Sequence, residues 1–503
     1  MTTPILTSTP SPAEMDTGGI GGQPRGLTNL FLTELWERFG YYGMRALLVL
    51  FMVAPALRGG LEFNTKAAGL IYGTYTMSVY MLSIPGGFIA DNFLGARAAV
   101  FWGGIIIACG YFTLAIHSMT AFYTGLVLVA CGTGLLKPNI SCMVGSLYSR
   151  EDPRRDAGFS IFYMGINIGA FLAPLLTGWL AQSDAFKEML RGWGFDPVRS
   201  WHWGFGAAGV GMVIGLVVFL IMKHRLAHVG HAPAADVPRP WGRLLGVLAG
   251  AGVLFALVRL SDTNPAFSWI SYGYVILPIL AILWFGTRND PTLKRMAAIF
   301  VFALAAIIFW AIFEQAGSTI QLFGDQLTRT EIFGFKFPSA WFQSVNSIWV
   351  ITLSPVFAWI WVRLGDRQPS SPMKFTIGLF FLTLSFMVMV PAAKLTADGK
   401  VSPLWIVGVF FLQTVGELCL SPVGLSTMTK LAPGNLVGLV MGVWFLAAAL
   451  GNKLAGVLAG EFTATDAPAL AAFFQQQVIW VGVATVALLA IVPWVRKLMG
   501  GVR

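Results

Sequence analysis

Charged side chains inside apolar segments are the residues of this sequence best placed to carry chemistry. In the first such segment, residues that can hold charge or donate hydrogen bonds recur at spacings that place them on one face of a helix: Glu34, Glu37, Arg38, Tyr41, Tyr42 and Arg45. Because an ionised group in hydrocarbon is costly, that face cannot point at lipid. Carboxylates beside guanidinium groups can take up protons and exchange ion-pair partners. The alternative is an interfacial cluster whose long side chains reach the lipid headgroups.

Single charges also stand in later apolar segments. Lys137, in GTGLLKPN, is flanked by small residues and a proline, and a buried ammonium there requires a counter-charge. Candidate partners are the first-segment glutamates, Glu314 in FWAIFEQAGS and Glu417 in QTVGELCLSPVG. Polar and aromatic residues at helical spacing predict a polar, aromatic-lined cavity: Tyr163 and Asn167, Trp310 and Glu314, and Gln413 with Glu417 and Ser421. Static ion pairs that only fix helix packing are the alternative.

The composition excludes a chain built of soluble domains. Apolar residues make up 56% of the 503 residues and charged residues only 11%, whereas soluble domains carry about 25% charged residues. The basic residues behind the net charge of +10 are scattered among loops, which argues against nucleic-acid binding. The four cysteines form no CxxC pair, so we expect neither a disulfide framework nor a metal site.

Apolar runs separated by polar, glycine or proline breaks predict fourteen transmembrane helices. They lie near 27–54, 66–90, 97–116, 120–143, 157–181, 203–223, 241–260, 271–287, 294–322, 341–363, 373–391, 403–429, 436–459 and 469–495. An even number puts both termini on one side, predicted to be the cytoplasm. Segments on that side hold 19 of the 33 Lys and Arg residues, those on the other side hold 10, and four lie inside helices, in agreement with the positive-inside rule.

The predicted helices divide into two sets of six. GGFIADNFLGAR at 86–97 joins the second and third helices and has a weaker echo in RLGDRQ at 363–368, which corresponds only if two helices between the sets are an insertion. A glycine-rich loop with an acid and a base resembles the signature of the major facilitator superfamily. We therefore expect an all-α polytopic membrane protein with four parts: a disordered cytoplasmic tail 1–26, a six-helix bundle 27–225, an inserted helix pair 226–290 and a second six-helix bundle 291–503.

The stretch ELWERFGYYG at 34–43 resembles the Glu-x-x-Glu-Arg-Phe-x-Tyr-Tyr-Gly motif of the proton-coupled oligopeptide transporters, a family within that superfamily. The resemblance covers nearly the whole chain, through GTGLLKPN, FYMGINIG, FWAIFEQAGSTI, GELCLSPVGLS and MGVWFLAAALGN. The inserted helix pair is common in bacterial members, so the resemblance implies a protein of the prokaryotic inner membrane. Ala170, where the family often has serine, and Lys453, an additional base, depart from the pattern.

The resemblance implies import of di- and tripeptides driven by an inward proton gradient. Proton coupling would involve Glu34, Glu37, Arg38, Lys137 and Glu314. The peptide amino end would meet Asn167, Asn346 and Glu417, and its carboxylate would meet Arg38, Arg45 and Lys137. Side-chain pockets would use Tyr41, Tyr42, Tyr80, Trp310 and Trp444, and the polar residues Glu314 and Ser421 complete the expected peptide site. For a single aromatic residue such as Trp444, simple helix packing is an equal alternative.

Two ion pairs between the halves are expected to act as gates, Arg45 with Glu314 and Lys137 with Glu417. The alternative within the same fold is a proton-coupled carrier of another small solute, such as nitrate or a peptide-like drug. An enzyme is not expected, because the sequence has no GxSxG or HExxH motif. A passive channel would not need titratable pairs divided between two halves. We expect a monomer in contact with lipid, without cofactor or metal, whose coupling ion is the proton.

Overall fold

The computed structural model of the protein describes residues 16–149, 152–226, 229–234, 239–263, 293–432 and 437–500. Its helices in the first part of the chain are α1 (Arg25–Val53), α2 (Thr65–Met81), α3 (Ser83–Ile89), α4 (Ala96–Leu114), α5 (Met119–Ser146), α6 (Arg155–Gln182), α7 (Asp184–Gly192), α8 (Ser200–Met222) and α9 (Trp241–Thr263). Those in the second part are α10 (Leu293–Phe313), α11 (Thr319–Gln326), α12 (Gln343–Leu364), α13 (Ser371–Leu395), α14 (Leu404–Leu431), α15 (Val437–Ala459) and α16 (Ala467–Leu498).

Most of these helices form because long apolar runs must satisfy their backbone hydrogen bonds internally in a bilayer. Within the described ranges, ten helical segments are long and apolar enough to cross a membrane. Helix α1 is not among them because it carries four charged residues in its interior, and α2 is short at 17 residues. Thirteen of the fourteen predicted spans coincide with described helices, and the span predicted at 271–287 lies outside the described residues.

Two predicted spans contain interrupted helices. The span at 66–90 breaks between α2 and α3 at Leu82, because Pro85 has no N–H to donate to the Met81 carbonyl. The span at 294–322 changes after Phe313 into the 3-10 turn Glu314–Gly317 before α11 begins. Helical periodicity does not reveal either break.

Two further elements were not predicted. Helix α7 lies beyond the end of α6, and a short hairpin pairs β1 (Glu331–Ile332) with antiparallel β2 (Phe335–Lys336). The turn of the hairpin holds Phe333 and Gly334 at φ of 50° and 82°, the left-handed conformation that a tight two-residue turn requires. The fold is otherwise all-α, as expected.

The helices pack in two groups that contact each other along two seams. In the first group α1 packs on α6 and α8, and α4 packs on α5; in the second group α13 packs on α14 and α16, and α10 packs on α15. The seams are formed by α2 with α15 and by α6 with α12. The exact boundaries assigned to the four parts of the chain remain predictions.

The seam between α2 and α15 depends on glycines. A Cβ at Gly456 would lie 2.4 Å from the Gly69 carbonyl oxygen and 2.5 Å from the Gly73 Cα, so the two backbones touch. Beside this contact the buried Lys453 donates a hydrogen bond from Nζ to Thr74 Oγ1 across the seam at 2.8 Å. A larger residue at these glycines would therefore push backbone against backbone.

We predict that Gly456→Val destabilises the protein by about 1–3 kcal/mol, the usual cost of overpacking, because no flexible side chain can move aside. Gly442→Val, in the same helix, is the matched control, since nothing lies within 4 Å of a Cβ at Gly442. The measurement is the midpoint of thermal unfolding in detergent. Equal midpoints for the two variants would contradict the assigned role of the seam.

Candidate functional site

A cavity of about 2150 Å³ opens between the two helix groups. We call the end of the helix bundle at which α1 begins the amino-terminal face, and the end at which α1 finishes the opposite face. The mouth of the cavity lies at the amino-terminal face, where α6 and α13 begin and α14 and α16 finish: it includes Asp156, Ser371, Lys430 and Arg496. The cavity therefore reaches from one face into the interior between the two halves.

Three of the predicted peptide-site residues line this cavity. They are Asn167 of α6, Ser421 of α14 and Trp444 of α15. Tyr163, one turn before Asn167, lines it too, and its backbone carbonyl accepts a hydrogen bond from the Asn167 amide at 2.9 Å. Of the seven residues whose helical spacing predicted a shared polar cavity, Tyr163, Asn167 and Ser421 line it, whereas Trp310, Glu314, Gln413 and Glu417 are not among its lining residues.

The opposite face is closed by polar contacts between the halves. Ser344 Oγ of α12 donates to the Phe171 carbonyl of α6 at 2.7 Å, and Trp341 Nε1 donates to the Leu175 carbonyl at 3.0 Å. Closer to the face, Gln182 Nε2 donates to Ser339 Oγ at 2.9 Å. The seam between α6 and α12 is thus bonded at one end and divided by the cavity at the other.

The predicted pair of Arg45 and Glu314 is formed, and it lies on this closed side. Arg45 Nη2 is 2.5 Å from Glu314 Oε2, and both side chains are less than a tenth exposed. Arg45 Nε also donates to the Tyr72 hydroxyl at 2.7 Å. The 3-10 turn carries Glu314, and Gly317 in the same turn leaves room for Tyr72 and Arg45, because a Cβ there would lie 2.1 Å from the Tyr72 hydroxyl oxygen.

Arg38 lies between two carboxylates inside the first helix group. Its Nε is 3.0 Å from Glu34 Oε1 and is also in ion-pair contact with Glu37 Oε2. All three side chains are buried, with Glu37 fully inaccessible. Gly169 of α6 allows this packing, since a Cβ there would lie 2.3 Å from the Leu35 carbonyl oxygen. Two acids and one base leave this cluster one negative charge in excess when all are ionised.

Lys137 provides the charge that balances this excess at a distance. Its Nζ lies 4.3 Å from the centre of the Tyr80 ring, a cation–π contact, and it interacts electrostatically with Glu34, Glu37 and Arg38. Within the described residues Lys137 has no carboxylate within 4.0 Å, so the predicted pair of Lys137 with Glu417 is not formed in this conformation. The reason is that the two residues belong to opposite halves, which the cavity holds apart.

Glu417 instead has polar neighbours within its own half. Asn346 Nδ2 donates to Glu417 Oε2 at 3.4 Å and to Thr414 Oγ1 at 2.9 Å. Two residues predicted for the peptide amino end are therefore neighbours, while the third, Asn167, faces the cavity from the other half. Of these three residues, Asn167 lines the cavity, whereas Asn346 and Glu417 are not among its lining residues.

The predicted aromatic residues surround the charged ones. The Arg38 guanidinium lies 5.1 Å from the Tyr41 ring centre, and Arg45 lies 5.9 Å from the centre of Tyr42. Two tryptophans of the second half are mostly buried against glycines: the Trp310 Cβ is 2.4 Å from a Cβ built at Gly451, and Trp444 packs on Gly424. The tyrosines are thus bound to the cations, whereas packing explains much of the position of the tryptophans.

The structure adds residues that sequence reasoning missed. Tyr72 bonds to Arg45, and its spacing of eight residues from Tyr80 on α2 could have indicated it. Gln315 donates to Gln477 at 2.5 Å inside the second half, a contact that no local pattern predicts. Among the described residues no group of three or more His, Cys, Asp or Glu side chains is arranged to hold a metal ion.

Two six-helix groups around a cavity that is open at one face and closed at the other define a polytopic membrane transporter with the major facilitator fold. Within that class the chain belongs to the POT family, whose family model matches residues 97–479. It is 40% identical to the peptide transporter YePEPT of Yersinia enterocolitica over 95% of this chain and 96% of that protein. It is 37% identical to a di-/tripeptide transporter of Lactococcus lactis subsp. cremoris, covering 96% of this chain and 98% of the relative.

A solved structure gives the same result. A crystal structure of a mutant of the peptide transporter POT in complex with alafosfalin superposes with a TM-score of 0.85 at 38% sequence identity, covering 97% of this chain and 98% of that one. The predicted family and fold are confirmed. The roles assigned to individual site residues remain predictions.

We predict that Glu314→Leu destabilises the protein by about 3–5 kcal/mol, because it leaves the buried Arg45 guanidinium without a counter-charge. The double variant Arg45→Leu/Glu314→Leu should recover most of that loss, since no lone charge remains. Asp196→Asn is the control, because Asp196 Oδ2 lies 3.9 Å from Arg199 Nε in an exposed ion pair. This variant should change the free energy of unfolding by less than about 1 kcal/mol. Thermal unfolding in detergent measures all three. A double variant no more stable than the single one would show that the charge itself is not the cause.

Proposed function

We propose that this protein is a proton-coupled symporter that imports di- and tripeptides across the prokaryotic inner membrane by alternating access. The observation that carries the proposal is the Arg38 guanidinium held between Glu34 and Glu37, with Lys137 nearby, inside a membrane protein whose cavity is open at one face. Family membership supports the substrate class, because the relatives named above are peptide transporters.

The charges suit a zwitterionic substrate. A short peptide presents an ammonium at one end and a carboxylate at the other, and sites of opposite charge fix its orientation. The amino end would bind to Asn167, Asn346 and Glu417, and the carboxylate to Arg38, Arg45 and Lys137. The lining aromatic residues accept different side chains without requiring one, so that recognition rests on the groups that all peptides share.

The shape of the structure supports alternating access. The cavity opens at the amino-terminal face while Arg45 and Glu314 close the opposite face. The excess of Lys and Arg on the side of the amino terminus supports a cytoplasmic location for both termini, and the conformation is then open to the cytoplasm. One chain holds the whole cavity and its charged residues, so a monomer suffices for transport.

Coupling follows from the shared charges. Protonation of a carboxylate in the Arg38 cluster leaves the nearby cations without full compensation, and a peptide carboxylate then restores neutrality. Protonation of Glu314 would in the same way release Arg45 and open the opposite face. When that face opens and the cavity closes, Lys137 and Glu417 would approach each other as the alternative gate. The proton needs no further cofactor in this scheme.

We predict that the purified protein in liposomes takes up labelled dialanine against its gradient when the outside is more acidic, and that an uncoupler abolishes this uptake. Unlabelled di- and tripeptides should compete, whereas free alanine and nitrate should not. Liposomes without protein are the control. Competition by nitrate and not by dipeptides would instead favour the carrier of another solute, and uptake unaffected by the uncoupler would exclude proton coupling.

We predict that Glu314→Gln lowers proton-driven uptake at least about tenfold, because the neutral side chain cannot hold and release Arg45 in response to protons. Peptide counterflow, the exchange of labelled for unlabelled peptide without a proton gradient, should persist. Glu331→Gln in the exposed hairpin is the matched control and should transport like the wild type. Full proton-driven uptake by Glu314→Gln would exclude this residue as a gate.

A further inference from the structure

Two buried tyrosine hydroxyls next to the Arg38 cluster take no part in the mechanism above. Tyr75 of α2 is 5% exposed and Tyr111 of α4 is fully buried. Within the described part of the chain neither hydroxyl has a hydrogen-bond partner. A buried hydroxyl left unbonded costs about 1–3 kcal/mol, and phenylalanine would fill the same space without that cost. The two hydroxyls therefore point to a polar role.

The Tyr111 ring lies directly against the first helix. A Cβ built at Gly40 of α1 would be 2.7 Å from Tyr111 Cε2 and 3.3 Å from Cζ, the ring atom that bears the hydroxyl. Gly40 follows Glu37 by three residues, so both lie on the same side of α1. The electrostatic neighbours of Tyr111 are Glu37 and Arg38, and those of Tyr75 include Tyr111, Glu37 and Arg38.

The Glu37 carboxylate lacks hydrogen-bond donors, which the two hydroxyls could supply. It is fully buried, and neither of its carboxylate oxygens has a hydrogen bond of acceptable geometry to any described residue. Its contact with Arg38 is an ion pair by distance, in which the Nε–H bond is not aligned with the carboxylate. The unbonded Tyr75 and Tyr111 hydroxyls and the unbonded Glu37 carboxylate are thus buried in one region formed by α1, α2 and α4, where Glu34 Oε2 and Arg38 Nε and Nη2 also lack a hydrogen bond to described residues.

We propose that Tyr75 and Tyr111 are positioning residues for Glu37, whose ionised carboxylate they stabilise by hydrogen bonds donated through buried water. This inference rests on the proposed function, because it assigns to the hydroxyls the control of the pH at which the coupling site accepts its proton. Buried waters commonly connect such otherwise unbonded groups. Neither tyrosine lines the cavity, so the pair would act on Glu37 without touching the peptide.

The charged and titratable groups around Glu37 determine the direction in which the pH profile should move. The titratable or charged ones on the packed helices are Glu34 and Arg38 on α1, Tyr75 on α2, Tyr111 on α4 and Lys137 on α5. Of the other helices that pack on α1, helices α6 and α8 approach it through Gly169 and Gly211, and α11 carries Asp325 as its one charged residue. Donors to a carboxylate favour its charged form, so removal of a hydroxyl lets the protonated form persist to higher pH.

The test is the pH dependence of proton-driven dipeptide uptake in proteoliposomes for Tyr75→Phe, Tyr111→Phe and the double variant. Each single variant should move the midpoint of the pH profile upward by about one pH unit, and the double variant should move it further. Tyr148→Phe is the matched control, because its buried hydroxyl donates to Gln23 Oε1 at 2.9 Å, away from Glu37. Its profile should coincide with that of the wild type.

Peptide counterflow at fixed pH checks that each variant is folded, since it requires no net proton transfer. A midpoint that stays in place while uptake decreases, or one that moves to lower pH, would overturn the inference. If one single variant loses counterflow, the pH profile of the other single variant tests the inference. Loss of counterflow in both would assign the hydroxyls a structural role and would also overturn the inference. A wild type without pH-dependent uptake would instead remove the proposed function itself, so the two failures are distinguishable.

Discussion

The interaction on which the rest of this structure depends is the ion pairing of charges that lie too deep in the membrane to reach water. A charge without compensation there is costly, so each buried cation must find a partner, and the partner determines which helices touch. Arg45 binds Glu314 of the other half, and Arg38 binds two acids within its own helix. One pair therefore holds the halves together, whereas the other cluster stays within a single half.

The two seams between the halves are held by different kinds of contact. Along α2 and α15 the two backbones touch at glycines, and Lys453 adds a side-chain hydrogen bond to Thr74 beside this contact. Along α6 and α12 the contact consists of specific hydrogen bonds near the opposite face, such as Ser344 to Phe171. In the proposed cycle, closure of the amino-terminal side would require these bonds to be exchanged for others. The halves are thus joined by one seam that is mainly backbone contact and by another that is mainly side-chain hydrogen bonds near one face.

The sequence predicts much of the fold because the bilayer imposes a simple rule: an apolar run of about 20 residues must be a helix. It also predicts the polar face of α1, since helical spacing alone places Glu34, Arg38 and Arg45 together. It does not predict the break at Glu314, which depends on how the 3-10 turn meets Tyr72 of another helix. For the same reason Tyr75 and Tyr111 resemble ordinary packing residues until the three-dimensional arrangement brings them beside Glu37. Periodicity describes one helix, whereas these features depend on contacts between helices.

The same limit explains why one gate pair is visible and the other is not. Opposite charges in opposite halves predict that Arg45 could meet Glu314 and that Lys137 could meet Glu417, but a single conformation can close only one face around a central cavity. Here the closed face contains Arg45, and Lys137 rests on the Tyr80 ring instead. A cation–π contact weakly replaces an ion pair, which keeps the ammonium compensated while leaving it available. In the proposed cycle the Lys137 ammonium can therefore bind a peptide carboxylate in competition with the protein's own acids. Substrate binding, proton uptake and gate opening then all involve the same few charged side chains.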